Sequence, residues 1–269
     1  MCARRPTTDP AGVHQQGSQS NGATQVLFDL TCLEPVHSVP EPGNPRFFMT
    51  SHYQPAGTVY GTLLNFADEF AAMADQMAQP PYLALPKAPV LFVKTANTWS
   101  ASGAAIALPP HVAQVEVGAT IGMVIGPTVP PTRGSTRAAA VACYVLMNDL
   151  SLPHASLFRP PVKFNCLDGF LGIGSLPVDA LRAGDPALFR LAVRINGDLR
   201  QTVDFSQLVR SATQLLAEVS AFMSLREGDV LMLGCDTGRP LAHAGDHIEI
   251  SAPDHPAFGT LSNTLVVGA

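Results

Sequence analysis

One predicted strand carries a single carboxylate beside a row of very small side chains. The segment QVEVGATIGMVIG, residues 114–126, is rich in β-branched residues, which favours a β-strand. Successive side chains of a strand point to opposite faces, so Glu116, Gly118, Thr120 and Gly122 share one face. A carboxylate in this position has the chemistry of a metal ligand. The three small residues leave a groove next to it, which another group must fill.

The cysteines and histidines indicate neither a disulfide framework nor a zinc site. The five cysteines are an odd number and include no Cys-x-x-Cys pair. This usage favours a reducing, cytoplasmic location. The eight histidines are dispersed along the chain, and His243 and His247 lie in a predicted solvated turn.

Composition narrows the class of protein. The chain has 269 residues, 46% of them apolar, which is enough to form a sizeable core. The formal net charge is -5 and no stripe of lysine or arginine is present, so we expect no nucleic-acid partner. No apolar run reaches the roughly 18 residues that a membrane span needs, and the N-terminus does not resemble a secretory signal.

The chain changes character near residue 49. Residues 1–48 are rich in Pro, Gly, Ser, Gln and Thr, which predicts a mostly disordered extension. Either Met49 is the biological start or the extension is a genuine flexible tail. From residue 49 to residue 269 the pattern predicts a single domain.

Strands outnumber helices in this domain. The spacing of apolar residues predicts helices over 67–78 and 206–225, the second with Ser206 as its N-cap. The dipeptide Asn196-Gly197 lies between two alternating segments and predicts a hairpin. The predicted fold class is therefore α+β and mainly β.

Seven segments, in this order, resemble the fumarylacetoacetate hydrolase family over about residues 57–267. They are VLFVKTANT, GATIGMVIG, YVLMNDLSL, FRPPVKFNCLDGF, INGDLRQ, LLAEVSAFMSLREGDVLMLG and AGDHIEI. The resemblance implies a mixed β-sandwich roll with few helices. Within the family, the chain is most similar to the first of the two homologous halves of the isomerase/decarboxylases of 4-hydroxyphenylacetate (homoprotocatechuate) catabolism.

The resemblance implies an enzyme of oxo-acid chemistry. Family members use a divalent cation, Mg2+ or Mn2+, which polarises the oxo group and stabilises an enolate. The implied substrates are oxo-dicarboxylates or tricarboxylates, namely 5-oxopent-3-ene-1,2,5-tricarboxylate and 2-hydroxyhepta-2,4-dienedioate. Two alternatives stay open: a non-catalytic half that only completes an assembly, and another oxo-acid hydrolase of the family. We expect a homo-oligomer or a complex with a homologous partner subunit.

The implied metal site is incomplete in this sequence. The family's strand carries two glutamates separated by one residue, and their positions here are Gly118 and Thr120. Asp149 matches the family's aspartate ligand, while Glu116 is either a substitute ligand or an exposed residue at the strand end. One carboxylate rarely holds magnesium alone, so weak binding is expected. The segment 234–236 also departs from the family, which often has Gly-Thr-Pro there.

The resemblance also implies residues for catalysis and substrate binding. Glu69 stands where active members often carry a histidine, and it is either a base or part of a solvated helix face. Lys163 is the other candidate catalytic residue. The implied substrate-binding residues are Lys94, Asn97, Thr98, Arg159 and Asp168. Lys94 and Lys163 have an alternative role in structural ion pairs, with Asp149 or Asp168 as partners.

Overall fold

The computed structural model describes residues 52–127, 140–154, 156–157 and 161–268. The N-terminal extension, the expected boundary at Met49 and the candidate residue Arg159 lie outside this part of the chain, so the statements about them remain predictions. Among the described residues, no helix is both long enough and apolar enough to cross a membrane.

Fourteen strands and four helices make up the described part of the chain. The strands are β1 Val59–Leu63, β2 Val90–Lys94, β3 Trp99–Ala101, β4 Ala105–Leu108, β5 Val115–Ile125, β6 Val141–Ser151, β7 Leu171–Ile173, β8 Val178–Asp179, β9 Arg190–Ile195, β10 Asp198–Asp204, β11 Val230–Met232, β12 Leu241–Ala242, β13 His247–Ser251 and β14 Thr260–Val267. The helices are α1 Ala67–Met77, α2 Val162–Asn165, α3 Ala180–Ala183 and α4 Ala212–Ser220.

These strands form two mixed sheets. The nine-stranded sheet has the order β2-β1-β11-β5-β6-β7-β3, with β12 paired to β5 and β8 paired to β6. The second sheet has the order β10-β9-β13-β14-β4. Most neighbours are antiparallel, but β1 with β11, β3 with β7 and β4 with β14 are parallel. The predicted mainly β, mixed fold with few helices is confirmed.

Strand β5 separates two apolar clusters. Its residues Val117 and Ile121 belong to the larger cluster, together with residues of the second sheet such as Val193. On its other face, Val124 belongs to a smaller cluster that includes Met77 at the end of α1. The alternation predicted for β5 therefore directs its small residues toward the side of the sheet where α1 packs.

Neighbouring side chains fill the groove at Gly122 and Thr120. A Cβ atom on Gly122 would lie 2.7 Å from Cγ1 of Val230 and 2.8 Å from Sδ of Met147. The buried Thr120 hydroxyl donates a hydrogen bond to the carbonyl of Gly234. The missing side-chain volume on β5 is therefore occupied by β6, β11 and the segment that follows β11.

The groove is also filled at Gly118. A Cβ atom there would lie 2.7 Å from the backbone oxygen of Asp149 and 2.9 Å from Sγ of Cys235. The first of these atoms belongs to the paired strand β6, which cannot move without breaking its pairing with β5. A larger residue at position 118, including the glutamate of the family pattern, requires a shift of this backbone.

Two local predictions are confirmed and one is wrong in extent. Helix α1 and the hairpin between β9 and β10 form where predicted, with Asn196 and Gly197 at φ of 56° and 86°. Helix α4, in contrast, begins after the N-cap Ser211 rather than Ser206. The preceding amide groups of Val209 and Arg210 donate to the backbone and side-chain oxygens of Asn65. These tertiary hydrogen bonds replace the first turns of the predicted helix.

We predict that Gly118→Ala lowers the free energy of unfolding by about 1–3 kcal/mol, because the added methyl group overpacks the β5–β6 contact. Urea denaturation measures this change. Gly126→Ala is the control at the end of the same strand, where the closest atom to an added Cβ is another methyl carbon at 3.0 Å. An equal loss in the two variants would contradict the packing argument.

Candidate active site

A pocket of about 190 Å³ lies where α1, β5, β6, α2 and the loop between β11 and β12 meet. We call it the polar pocket, and its polar lining includes Glu69 of α1, Glu116 of β5, Asp149 of β6, His154, Asn165 of α2 and Arg239 of the loop. Glu69 and Arg239 are 170 residues apart in the sequence. Only the folded chain brings these groups to one place.

An apolar cavity of about 450 Å³ adjoins the polar pocket. The two share Leu63, Phe92, Leu157 and Asn165, and the remaining lining of the apolar cavity comes largely from β2 and α2. Together they suit a ligand with a charged head group and a short carbon chain.

Lys94 is enclosed by oxygen atoms at the base of the site. Its Nζ lies 2.6 Å from Oδ1 of Asp149, and both side chains are at most 4% exposed. The ammonium also donates to the carbonyls of Leu150, Asn165 and Phe170 at 2.9, 2.7 and 3.0 Å. A lysine has three N–H donors, so these four oxygens leave none for a substrate. Of the two roles considered for Lys94, the geometry corresponds to the ion pair with Asp149.

Glu69 is buried against Arg239. Its Oε1 lies 3.4 Å from Nη2 of Arg239, and Nη1 of the same guanidinium lies 3.9 Å from Oε2 of Glu116. Burial raises the pKa of Glu69 to about 7, although the positive charge of Arg239 opposes the shift. The interpretation of Glu69 as part of a solvated helix face is therefore wrong. A carboxyl group with this pKa can both donate and accept a proton near neutral pH.

Apart from Oδ1 of Asp149, which is ion-paired with Lys94, three buried polar atoms of residues that line the pocket have no hydrogen-bond partner among the described residues. They are Oε2 of Glu69, Oδ1 of Asn165 and Nε2 of His154. Glu69 and Asn165 are 9% and 4% exposed. Unsatisfied polar groups are rare in protein interiors, so three of them on residues that line one pocket mark this pocket as the candidate site.

The orientation of His154 defines its proton chemistry. Its Nδ1 lies 2.8 Å from the backbone oxygen of Leu152, which can only accept a hydrogen bond, so Nδ1 carries the proton. In the neutral ring, Nε2 then carries a lone pair, and this atom is buried on a residue that lines the polar pocket. The ring is stacked on Phe164 at a centroid distance of 4.8 Å, which holds its plane.

The sequence analysis missed His154, Asn165 and Arg239. His154 lies five residues after Asp149 in the chain, but it belongs to no recognisable histidine motif. The departure from the family pattern at 234–236 marked the loop that carries Arg239, although not the arginine itself. Their role depends on segments that are distant in sequence, which a local pattern does not contain.

Three of the candidate substrate-binding residues lie elsewhere. Asn97 donates to Oδ1 of Asp168 at 2.7 Å, and both residues are exposed. Thr98 is completely buried and donates to the carbonyl of Thr95 at 2.8 Å. These contacts stabilise the loop after β2. The three side chains lie outside the polar pocket.

Lys163 is also placed away from the polar pocket. Its side chain is exposed on α2, and its Nζ lies 5.3 Å from the centroid of the Phe164 ring in a cation–π contact. A catalytic role for Lys163 therefore requires a change in its conformation.

The residues present do not fit a divalent cation. Among the described residues, no three His, Cys, Asp or Glu side chains come together as a metal site. Asp149 is already neutralised by Lys94 at 2.6 Å, and Glu116 faces the guanidinium of Arg239. A divalent cation at Asp149 would be repelled by the adjacent ammonium, and the glutamate positions of the family are Gly118 and Thr120.

The fold and the sequence correspond to one family of proteins. The family model described as Fumarylacetoacetate (FAA) hydrolase C-terminal matches residues 58–266, and the chain belongs to this family. It is 35% identical over 202 residues to the 4-hydroxyphenylacetate degradation bifunctional isomerase/decarboxylase of Salmonella dublin. That match covers 75% of this chain and 46% of the relative, so the chain spans about half the length of the relative.

Solved structures show the same fold. A 5-carboxymethyl-2-hydroxymuconate delta-isomerase from Mycobacterium smegmatis is 25% identical, with a TM-score of 0.59 and 80% of each chain covered. A fumarylpyruvate hydrolase from Pseudomonas aeruginosa, solved with Mn2+ and pyruvate, is 21% identical, with a TM-score of 0.62 and coverage of 80% of this chain and 91% of that one. That neighbour was solved with a divalent metal, whereas the residues described above do not fit one.

We predict that Lys94→Met lowers the free energy of unfolding by about 3–5 kcal/mol, because it leaves the Asp149 carboxylate buried without a compensating charge. Urea denaturation measures the loss. The double variant Lys94→Met with Asp149→Asn removes both charges and should recover part of it. A loss below about 1 kcal/mol in the single variant would show that the pair does not stabilise the fold.

We predict that Glu69→Gln gains stability relative to the unmodified protein as the pH rises from 5 to 8. Burial raises the pKa of Glu69 from its ordinary value of about 4.5 to about 7, so its favourable contribution is complete below about pH 4.5 and is lost as the pH rises to 7. Each pKa unit corresponds to about 1.4 kcal/mol, and glutamine removes this dependence.

Glu218→Gln is the matched control for this measurement. A hydrogen bond from Arg210 lowers the pKa of Glu218, so its contribution to stability is already complete above about pH 5, and the stability difference between Glu218→Gln and the unmodified protein should not change from pH 5 to pH 8. Thermal denaturation across the pH range compares the two variants. A stability difference that is as independent of pH for Glu69→Gln as for Glu218→Gln would contradict the assignment of a raised pKa to Glu69.

Proposed function

We propose that this chain is a subunit of an isomerase/decarboxylase of 4-hydroxyphenylacetate catabolism. The proposed substrates are 5-oxopent-3-ene-1,2,5-tricarboxylate and 2-hydroxyhepta-2,4-dienedioate. The observation that carries the proposal is a buried carboxyl group, Glu69, whose pKa is about 7 and whose Oε2 is unpartnered among the described residues, beside a cation in the polar pocket. The identity to the Salmonella dublin enzyme supports the choice of pathway.

Both reactions are rearrangements of a proton and an electron pair. In the decarboxylation, the bond between carbon and a carboxylate breaks, carbon dioxide leaves, and the electron pair forms an enolate with the oxo group. A proton is then added to carbon. In the isomerisation, a C–H bond breaks at one end of the conjugated chain and a new one forms at the other end. Each reaction needs a proton carrier and positive charge near the enolate oxygen.

The polar pocket contains groups for each requirement. Glu69 donates or accepts the proton, since both of its protonation states are populated near pH 7. The lone pair of His154 Nε2 is a second base in the same pocket. Arg239 contributes the positive charge, and the adjoining apolar cavity takes the carbon chain. No step of this scheme uses a metal ion.

A homo-oligomer or a complex with a homologous partner subunit is part of the proposal. A cytoplasmic location is also part of the proposal. The second candidate function is a non-catalytic half of such an assembly, which the poor fit of the residues to a divalent cation favours. Turnover by the isolated chain distinguishes the two.

The test is the release of carbon dioxide from 5-oxopent-3-ene-1,2,5-tricarboxylate by the purified chain. We expect turnover, with kcat of Glu69→Gln reduced by about 10²- to 10⁴-fold, the usual contribution of a general acid or base. Glu218→Gln, which changes a carboxylate on α4, should keep its activity. No turnover by the chain would support the non-catalytic half, and full activity of Glu69→Gln would remove Glu69 from the mechanism.

A further inference from the structure

The polar pocket contains a cation, Arg239, whose contacts with the neighbouring carboxylates are long. The side chain of Arg239 is 16% exposed and lines the pocket. Among the described residues, its guanidinium forms one hydrogen bond, to Oε1 of Glu69 at the long distance of 3.4 Å. Arg210, which is 12% exposed, is bound much more closely to Glu218 at 2.7 Å. A guanidinium has five N–H donors, so Arg239 retains donors for a ligand.

The position of Arg239 is set by the loop that follows β11. Residues 236–239 all line the polar pocket, and Cys235 packs against Gly118 at the start of this loop. The start of the loop therefore occupies the space that a larger side chain at position 118 of β5 would need. The absence of the family's glutamate at position 118 and the presence of a guanidinium in the pocket are thus parts of one packing arrangement.

We propose that Arg239 replaces the divalent cation in this chain, and that its guanidinium binds the carboxylate of a small oxo acid without metal. The inference takes the class of ligand from the proposed function. A planar guanidinium offers two parallel N–H groups to the two oxygens of a carboxylate. Lysine cannot supply this geometry, and a metal ion does not require it.

The charge balance of the pocket couples this binding to a proton. Glu69 from α1, Glu116 from β5, Asp149 from β6 and Asp236 from the loop face the pocket with Arg239, while His154 lines it beyond β6. Lys94 compensates Asp149. Protonation of Glu69 frees Arg239 from one carboxylate and lets a substrate carboxylate take its place, so the ligand should bind more tightly below the pKa of Glu69 than above it.

Titration calorimetry with oxalate tests the proposal, since oxalate is a small dianion that resembles the enolate of a 2-oxo acid. The full chain is titrated about one pH unit below the pKa of Glu69, once with EDTA and once with MgCl2. We expect equal affinity in the two conditions. Arg239→Met should weaken binding by about 10- to 100-fold, and Arg239→Lys should give an intermediate loss.

Arg210→Met is the control for removing a largely buried arginine, and it should leave oxalate affinity unchanged. Circular dichroism confirms that each variant is folded, and Arg239→Lys retains the charge if the methionine variant does not fold. Oxalate binding that requires magnesium, that is absent in both conditions, or that is unaffected in both Arg239 variants overturns the proposal.

The binding experiment and the turnover experiment test the two proposals separately. Metal-free oxalate binding through Arg239 without turnover keeps this inference and removes the proposed catalysis. Turnover that depends on added magnesium keeps the proposed reaction and substrates, but it removes this inference and the metal-free scheme.

Discussion

A lysine and an aspartate in contact inside the protein tie together four segments around the polar pocket. Lys94 ends β2, Asp149 lies in β6, and the carbonyls that share the ammonium belong to β6, α2 and the turn before β7. Neither charge is solvated, so each is tolerable only while the other is present. This mutual requirement fixes where β2, β6 and α2 lie and therefore where the pocket forms.

The same ion pair decides the chemistry available to Asp149. A carboxylate that already compensates a buried ammonium has little remaining attraction for a divalent cation. The second cation of the site, the largely buried Arg239, lies between Glu69 and Glu116. Its charge offsets theirs, so these carboxylates do not need a further cation. The family fold is thus retained while fixed side-chain cations provide the positive charge of the site.

Packing and chemistry are linked through one face of β5. Gly118 allows β6 and Cys235 to approach closely, and Cys235 in turn begins the loop that carries Arg239. A small residue in a strand, which by itself only weakens the strand, here permits a neighbouring segment to reach the site. The row of small residues in the sequence is explained by this close approach rather than by an empty groove.

The sequence by itself determined the strand β5, the hairpin at Asn196-Gly197, helix α1 and the family, because side-chain periodicity, turn residues and ordered motifs are local properties. The tertiary structure decided the beginning of helix α4, the pairing of Lys94, the burial of Glu69 and the approach of Arg239. Burial and distance between segments far apart in the chain set the strength of electrostatic interactions, and these depend on the complete fold.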